Sequence, residues 1–326
     1  MRLGCCATGR RAIAVAVPGG VCASRFGAAL RKLARLAAWR HLLGPVVMGV
    51  AIAVSAQAHP EALPPSAPDA ITLDATLVKT GLYLITGGGA NSLLRFSANG
   101  LILVDAKSPG TYRALKSQVR RIAKISDLPV RVLVVTDRHA THTGNAKEFM
   151  ASGATIIAQE NAGIYLRTRH TAATPLPIIT YEREYTLRLG GVEIRVMHLG
   201  RAQTDDAAVV LFPDLRVIAV GDLFTQGAPQ PDFAGGGSLA EWSSVLEAVL
   251  KLEFDLVVPS TGPMATRAEL QAFKARLDAV LSRATVLVRG GVAKEHLVAQ
   301  LAADDLGWRF GAEQLDGLYD ELARRR

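Results

Sequence analysis

Hydrophobic and polar positions alternate in short runs through most of the chain, and this pattern predicts many short β-strands separated by turns. Strands are predicted at Leu82–Thr86, Ser92–Phe96, Leu101–Asp105, Val130–Thr136, Thr155–Ala158, Thr186–Leu189, Val192–His198, Ala207–Phe212, Arg216–Val220 and Leu256–Pro259. The run Val130–Thr136 is almost continuously apolar, which is expected of a strand buried on both faces. Functional loops commonly follow such strands, so the residues after position 136 are the first candidates for a site.

Between the strands, apolar residues spaced three or four positions apart predict helices with one buried side. One helix is predicted over Tyr112–Ile125, and two more begin at capping boxes formed by the pairs Ser238–Glu241 and Thr266–Glu269. The tail Val292–Arg326 also has a helical pattern. Two β-rich halves, each closed by helices, predict an α/β or α+β domain with sheets in the middle and helices outside.

The first 58 residues have the features of an export signal. A basic stretch at 31–40 precedes an apolar run, Leu42–Val54, which is too short to span a bilayer easily, and Ala56–Ala58 forms an A-x-A cleavage site. We expect cleavage after Ala58 and a periplasmic or secreted protein that contacts the membrane only through this signal. The alternative is an uncleaved membrane anchor. A proline-rich linker is predicted from 59 to 75.

The formal net charge of +8 comes from this same segment. Eight lysines and arginines and no acidic residues lie in 1–58; removing those eight from the 37 basic residues leaves 29, equal to the 29 acidic residues. A nucleic-acid partner is therefore not indicated. The three cysteines, Cys5, Cys6 and Cys22, also lie in this segment. The mature chain would then have no thiolate to offer a metal, so histidines and carboxylates are the candidate ligands.

The stretch Thr136–Asn145, directly after the buried strand, contains the candidate chemistry. His139 and His142 are three positions apart, and Asp137 precedes the first by two, so the three side chains can converge on one ion if the backbone turns sharply. Short histidine and aspartate clusters are also common in polar loops whose imidazoles only make hydrogen bonds. The cluster alone supports either interpretation.

This stretch resembles the H-x-H-x-D-H signature of the metallo-β-lactamase superfamily, followed by the family's usual Thr-Gly-Asn at Thr143–Asn145. Other segments are similar in order and spacing to the family's strands and ligand loops: Leu101–Asp105, Gly200–Phe212, Val217–Asp222, Gly235–Trp242 and Val257–Pro263. The resemblance covers roughly residues 76–285. It implies a four-layer αββα sandwich, of α/β or α+β class, with residues 286–326 as a helical extension packed on it.

In that family two zinc ions are held by histidines and aspartates, and several of these ligands are replaced in this chain. The resemblance places Asp137 at the first motif histidine, Thr141 at the motif aspartate, Gln203 at a later histidine and Thr261 at the final histidine. Three ligands are retained as His139, His142 and the bridging Asp222. Amide and hydroxyl oxygens are poor zinc ligands beside imidazole and carboxylate, so the replaced positions are expected to contribute little.

With these substitutions, the resemblance implies at most one divalent ion per chain, Zn²⁺ or another metal, or none; its ligands would be Asp137, His139, His142 and Asp222. Asp222 or Asp137 would serve as the catalytic base. The expected function is hydrolysis of a small ester, lactone, thioester or amide. The alternative is a non-catalytic protein that binds a small molecule in the same cleft. β-Lactamase activity ranks third, because it usually relies on the ligands replaced here.

Other candidate features receive simpler interpretations. Gly87–Gly89 precedes a strand, so a hairpin turn is expected there rather than a phosphate-binding loop. Gly235–Ser238 opens a predicted helix and is interpreted either as an anion site or as the hinge of a lid. The pair Asp205–Asp206, beside Gln203, is interpreted as a solvated turn, with assistance to a metal as the alternative. The lone histidines His170, His198 and His296 are interpreted as surface or packing residues.

Overall fold

Two β-sheets form the centre of the computed structural model, which describes residues 71–124, 128–169, 177–301 and 303–325. The predicted signal at 1–58, most of the predicted linker and His170 lie outside these residues. Within the described part, the first sheet contains, in spatial order, β1 (Asp74–Lys79), β2 (Leu82–Thr86), β3 (Ser92–Ser97), β4 (Gly100–Val104), β5 (Val130–Val134), β6 (Thr155–Gln159) and β7 (Ile178–Tyr181). The second contains β8 (Glu184–Leu189), β9 (Val192–Met197), β10 (Val209–Phe212), β11 (Val217–Gly221), β12 (Leu256–Pro259) and β13 (Ala265–Thr266), also adjacent in that order.

Helices cover the outer faces of the two sheets. Those that follow strands of the first sheet are α1 (Tyr112–Ile122), α2 (Ala140–Thr143), α3 (Ala146–Ala151) and α4 (Glu160–Arg169). Those that follow strands of the second are α5 (Leu239–Leu250), α6 (Arg267–Arg289), α7 (Leu297–Gln300) and α8 (Ala312–Ala323). Short 3₁₀ turns lie at Lys294–His296 and Asp304–Leu306. No helix in the described residues is long and apolar enough to cross a membrane.

Three apolar layers hold these elements together. Val134 of the first sheet and Val196 of the second belong to the layer between the sheets. Leu115 of α1 packs in the outer layer of the first sheet, and Trp242 of α5 packs in that of the second. Burial of such side chains from water is the main stabilising contribution to the fold. The arrangement confirms the predicted αββα sandwich.

Most predicted strands are confirmed with ends that differ by one or two residues. β1 and β7 were not predicted, because they are the two edges of the first sheet and their patterns lack a clear buried side: no residue of β1 is buried. β13, with two residues, is too short to give a pattern. The predicted helix Tyr112–Ile125 ends at Ile122, and Ala123 and Lys124 lie in a turn; Ile125 lies outside the described residues.

One of the two predicted capping boxes is complete. The Thr266 side chain accepts from the backbone of Glu269, and the Glu269 side chain accepts from the backbone of Thr266. At α5 the Ser238 side chain caps Glu241 N at 3.1 Å, but the reciprocal bond is missing. Ser238 N donates instead to Ala202 O. The prediction of a full box at Ser238 was therefore wrong.

Candidate metal site

The loops that follow β5 and β11 meet at one edge of the sandwich, where the parallel pairs β4–β5 and β11–β12 end. Asp137, His139 and His142 follow β5, whereas Asp222 directly follows β11. Residues from both sheets are therefore brought to one place by the carboxyl ends of buried strands, as in many α/β proteins. These four residues are called the Asp–His cluster below.

The Asp–His cluster surrounds a small space. One ligand atom from each of Asp137, His139 and Asp222 lies within 4.8 Å of the other two. His142 approaches from the buried side, with Nε2 at 3.4 Å from Oδ2 of Asp137 and 3.4 Å from Oδ2 of Asp222. Nδ1 of His139 lies 3.3 Å from Oδ1 of Asp137. The structure thus brings together all four residues that the sequence singled out as principal ligands.

His142 is fully buried, and its ring is fixed from the side opposite the cluster. Nδ1 lies 2.9 Å from Oδ2 of Asp105 and 2.9 Å from Oγ1 of Thr136. Thr136 also donates to Asp105 from its backbone N and its hydroxyl, both at 2.8 Å. Because Asp105 can only accept, Nδ1 is assigned the proton, and Nε2 of the neutral ring presents its lone pair to the cluster.

His139 is oriented by a residue from a different loop. Its Nε2 lies 3.1 Å from Oδ2 of Asp232, in the segment between β11 and α5. Its backbone N donates to Oδ1 of Asp137 at 2.7 Å. When Nε2–H donates to Asp232, the lone pair of Nδ1 faces Asp137. Asp232 could not be identified from the sequence, because no motif surrounds it and its contact joins two segments that are far apart in the chain.

The two ring nitrogens that face the cluster have no hydrogen-bond partner. Nδ1 of His139 and Nε2 of His142 are both buried and unsatisfied, although buried polar atoms are nearly always bonded. Two imidazoles and two carboxylates are ligands that Zn²⁺, Mn²⁺ and Fe²⁺ accept. The donor set and the unsatisfied nitrogens therefore fit one divalent cation.

The electrostatics of the Asp–His cluster also favour a bound cation. The carboxylate of Asp137, 3.3 Å from Nδ1, raises the pKa of His139 to about 9. Burial opposes protonation of His142, but Asp137 and Asp105 raise its pKa well above its ordinary value. The carboxylates around the two rings thus attract positive charge strongly. Either two protons or one divalent cation can supply it.

Asp222 is the more accessible carboxylate of the cluster. Its side chain is 23% exposed, against 2% for Asp137. The Ser260 hydroxyl donates to its Oδ1. Burial alone would raise the pKa of Asp222, but its contacts with His142 and Ser260 bring it below the ordinary value. Asp222 is therefore ionised at neutral pH and can accept a proton.

Three of the replaced ligand positions are Thr141, which lies in α2, and Gln203 and Thr261, which lie in loops. Thr141 is exposed, and its backbone oxygen accepts from Ala90 N at 3.2 Å. Thr261 is exposed and follows Ser260. Gln203 is half-buried, and its Oε1 is buried without a hydrogen-bond partner.

Arg138 connects the motif to the acidic pair Asp205–Asp206, which is not the predicted solvated turn. Its Nε donates to Oδ2 of Asp206 at 2.7 Å, and its Nη2 donates to Asp205. Asp206 is fully buried and also accepts from Thr204 Oγ1 at 2.5 Å. Burial raises the pKa of Asp206, while Thr204 and Arg138 oppose that rise. The pair holds the motif loop in place.

The residues after the histidines anchor the loop that follows β4. Nδ2 of the buried Asn145 donates to Ala106 O at 2.6 Å, to Ser108 O at 2.9 Å and to Thr111 Oγ1 at 2.8 Å. A Cβ at Gly144 would lie 2.3 Å from the backbone N of Pro109, so the close approach of this loop requires glycine. The Thr-Gly-Asn sequence therefore has a structural role.

The two glycine-rich segments are turns. Gly87–Gly89 connects the antiparallel strands β2 and β3, as expected. In Gly235–Ser238, each backbone amide donates to a protein oxygen: Gly235 to Asp232 Oδ1, Gly236 to Phe233 O, Gly237 to Asp232 O and Ser238 to Ala202 O. These amides are occupied, so the anion-site interpretation was wrong.

Two clefts border the ligand loops. One, of about 640 Å³, is polar and includes Asp205, which binds Arg138 of the motif. The other, of about 450 Å³, lies between the Gly87–Gly89 turn and the loop at 261–264, and includes Leu84 and Met264. A small molecule with an apolar part fits the second cleft better, because Leu84 and Met264 line it. This cleft also reaches Thr261, which is next to Ser260, and Ser260 donates to Asp222.

Several known proteins are similar to this chain in sequence. The sequence model of the Metallo-beta-lactamase superfamily matches residues 85–261, which include the whole Asp–His cluster. The metallo-beta-lactamase type 2 of Bacillus cereus is 25% identical over 182 residues, which cover 55% of this chain and 69% of that protein. The 2,4-dinitroanisole O-demethylase subunit alpha of Nocardioides sp. (strain JS1661) is 24% identical over 220 residues, 66% of this chain and 65% of that protein.

Solved structures show the same fold. A metallo-beta-lactamase from Pontibacter korlensis aligns with a TM-score of 0.55 at 21% identity, covering 64% of this chain and 99% of that one. The metallo-beta-lactamase FIM-1 from Pseudomonas aeruginosa, in its mono-zinc form, aligns with a TM-score of 0.54 at 22% identity, covering 65% and 97%. At these identities the likeness is one of fold.

Proposed function

Since this chain belongs to the metallo-beta-lactamase superfamily, whose sequence model matches residues 85–261, we propose that it is an exported hydrolase with a mononuclear metal site. The observation that carries this proposal is the pair of buried, unsatisfied ring nitrogens, Nδ1 of His139 and Nε2 of His142, which face Asp137 and Asp222. A catalytic zinc site needs about three protein ligands and an open position, and this cluster supplies that number.

Each residue of the cluster has a distinct part. A divalent ion bound there would act as a Lewis acid toward a substrate carbonyl. His139, His142 and Asp137 would be its main ligands, since both oxygens of Asp137 face imidazoles. Asp222 is the better placed of the two carboxylates to receive a proton, because its side chain is 23% exposed and that of Asp137 is 2% exposed. Ser260 holds one oxygen of Asp222, so the other is left to receive a proton.

The substrate we propose is a small ester, lactone, thioester or amide. Its apolar part would lie in the cleft near Leu84 and Met264, and its carbonyl would reach Asp222 past Thr261. β-Lactam hydrolysis is not part of the proposal, because Gln203, Thr141 and Thr261 replace ligands on which that activity usually relies.

We also propose that the segment 1–58 directs export, and that the mature chain begins near His59. N-terminal sequencing of exported protein tests this, and a mature chain that retains residues 1–58 would contradict it.

Metal content is the direct test of the site. Protein purified without added metal and then titrated with zinc should bind no more than one ion per chain. His139→Ala and His142→Ala should abolish binding, because each removes an imidazole ligand. His296→Ala is the matched control, since His296 is exposed in a 3₁₀ turn. Two tightly bound ions per chain would contradict a mononuclear site.

A second candidate function is favoured by the charge balance of the cluster. Because Asp137 and Asp105 raise the pKa values of His139 and His142, two protonated imidazoles can neutralise the carboxylates without a metal. The protein would then bind a small molecule without catalysis. Zinc-loaded protein and Asp222→Asn should be compared for hydrolysis of p-nitrophenyl acetate. Hydrolysis that requires both zinc and Asp222 supports the enzyme; its absence from the zinc-loaded protein supports the binding protein.

A further inference from the structure

The segment from Gln230 to Glu241 places Asp232 against His139. Asp232 N donates to Gln203 O at 2.8 Å, and Asp232 O accepts from Gly237 N at 2.7 Å. Its Oδ1 accepts from Gly235 N at 2.8 Å, and its Oδ2 lies 3.1 Å from Nε2 of His139. Any displacement of this segment would therefore move the carboxylate that orients the His139 ring.

Helix α8 contacts this segment near both of its ends. Gln314 Nε2 donates to Gln230 Oε1 near the start of the segment. At the other end, Glu321 Oε2 accepts from Ala240 N at 3.0 Å. One turn beyond Glu321, Arg325 pairs with Glu241 at 3.1 Å.

The closest approach is at Gly317, in the middle of α8. A Cβ added there would lie 2.1 Å from Cε2 of Phe233, the residue next to Asp232. Glycine inside a helix costs about 1 kcal/mol relative to alanine, so α8 alone would be more stable with a side chain at this position. The glycine is explained by the aromatic ring that lies against it.

Glu321 points to the same conclusion. It is 7% exposed, although glutamate is rarely buried without a partner. Its partner is the backbone amide of Ala240 in the first turn of α5, where a negative charge is favourable. Both Gly317 and Glu321 thus serve the contact with the segment rather than the helix in which they lie.

We infer that α8 positions Asp232, and through it the His139 ring, so that α8 sets the metal affinity of a cluster it does not touch. Gly317 and Glu321 are positioning residues in this scheme. The inference rests on the proposed function for its metal readout, but the orientation of the His139 ring can be measured without metal. Carboxylates that orient a ligand histidine typically change metal affinity by about 10- to 100-fold.

A double-mutant cycle tests the inference. Gly317→Ala should weaken zinc binding about tenfold, a value at the lower end of the range for such outer contacts. In an Asp232→Ala background the same substitution should have no further effect, because the route to His139 is already cut. Gln314→Ala is a milder second variant if Gly317→Ala folds poorly. Controls are Glu313→Ala, at an exposed position of α8, and Leu115→Ala, which removes buried apolar volume from the outer layer of the other sheet.

The outcomes separate this inference from the proposed function. If Gly317→Ala lowers stability as Leu115→Ala does and leaves zinc affinity unchanged, α8 is only a structural support and the inference is wrong. The inference would also be wrong if Gly317→Ala weakened zinc binding equally in the unaltered chain and in the Asp232→Ala background. If the unaltered chain binds no zinc, the proposed function fails. The NMR resonances of the His139 side chain in metal-free protein then test the role of α8 by themselves. Gly317→Ala should shift them, and unchanged resonances would contradict the role of α8.

Discussion

Two residues after β4 show how single side chains shape the site. Asp105 and Lys107 both have positive φ values, 60° and 61°, a conformation that is uncommon outside glycine. The turn directs the Asp105 carboxylate to His142 and the Lys107 amine into the interior. Nζ of Lys107 donates to Ile85 O and Ala90 O, both at 2.9 Å, and so fixes the two ends of the Gly87–Gly89 turn. The unusual backbone conformation of Asp105 and Lys107 thus places one side chain where it holds the His142 ring and the other where it holds the turn that borders the cleft.

Asp105→Asn should weaken zinc binding by about 10- to 100-fold, as is typical when the carboxylate behind a ligand histidine is lost. The amide is neutral, so it holds the Nδ1–H of His142 less strongly and makes the ring a poorer ligand. A competition assay with a chromophoric chelator measures the affinity. Asp214→Asn, at an exposed residue that pairs with Arg95, is the control. Unchanged affinity would mean that Asp105 does not support His142.

Lys107 gives a prediction for the pH dependence of stability. Burial lowers the pKa of Lys107 from 10.5 to about 8, and the charge of Asp105 offsets part of this effect. Between pH 8 and pH 10.5 the unfolded chain therefore binds more protons at this residue than the folded chain, so stability increases with pH in this window. Below pH 8 the cost of burying the ammonium is fully present and constant.

Urea unfolding of the unaltered chain and of Lys107→Met should show this difference. From pH 8 to pH 10.5, the free energy of unfolding of the unaltered chain should increase relative to that of the variant by about 3 kcal/mol. The comparison removes other groups that titrate in the same window, because both proteins contain them. Parallel pH curves would show that burial does not lower the pKa of Lys107.

At the scale of elements, the sequence predicted what is buried and what carries a local motif. β5, β11 and β12 were predicted because each is an apolar run, and Asp137, His139, His142 and Asp222 follow from the motif at the ends of such runs. β1 and β7 were not, because edge strands lack that pattern. The role of Asp105 and the contacts of Asp232 and Ser260 were also missed, since they join segments that are far apart in the chain.

Thr266→Ala should lower the free energy of unfolding by about 0.5–2 kcal/mol, the usual effect of losing an N-cap. The substitution removes the hydroxyl that accepts from Glu269 N at 3.2 Å at the start of α6. Zinc affinity should not change, because Thr266 has no contact with the Asp–His cluster among the described residues. Thr285→Ala, inside the same helix, is the control and should be close to neutral. Chemical unfolding measures both, and equal losses would contradict the capping role.

At the scale of the whole molecule, the site lies where the two sheets are joined. Ala208 N donates to Thr136 O at 2.8 Å, and Asn91 N donates to Ser260 O at 2.6 Å. The first bond joins the loop after β5 to the start of β10, and the second joins the start of β3 to the end of β12. The Asp–His cluster adds charged contacts across the same junction. An ion bound there would have ligands from both halves of the sandwich.

Zinc should therefore stabilise the fold as a whole. With free zinc at 100 times the dissociation constant, binding to the folded state alone adds about 2.7 kcal/mol. For a domain of this size that corresponds to a rise in Tm of roughly 5–10 °C. Asp222→Ala removes the cluster's residue from the second sheet and leaves His139, His142 and Asp137 from the first, so part of the zinc-induced rise should be lost. Asp214→Ala should keep the full rise, because Asp214 pairs with Arg95 at an exposed position. Calorimetry with and without zinc measures the three shifts. A rise in Asp222→Ala as large as that of the unaltered chain would show that the residues after β5 hold the ion by themselves and that the metal does not link the sheets.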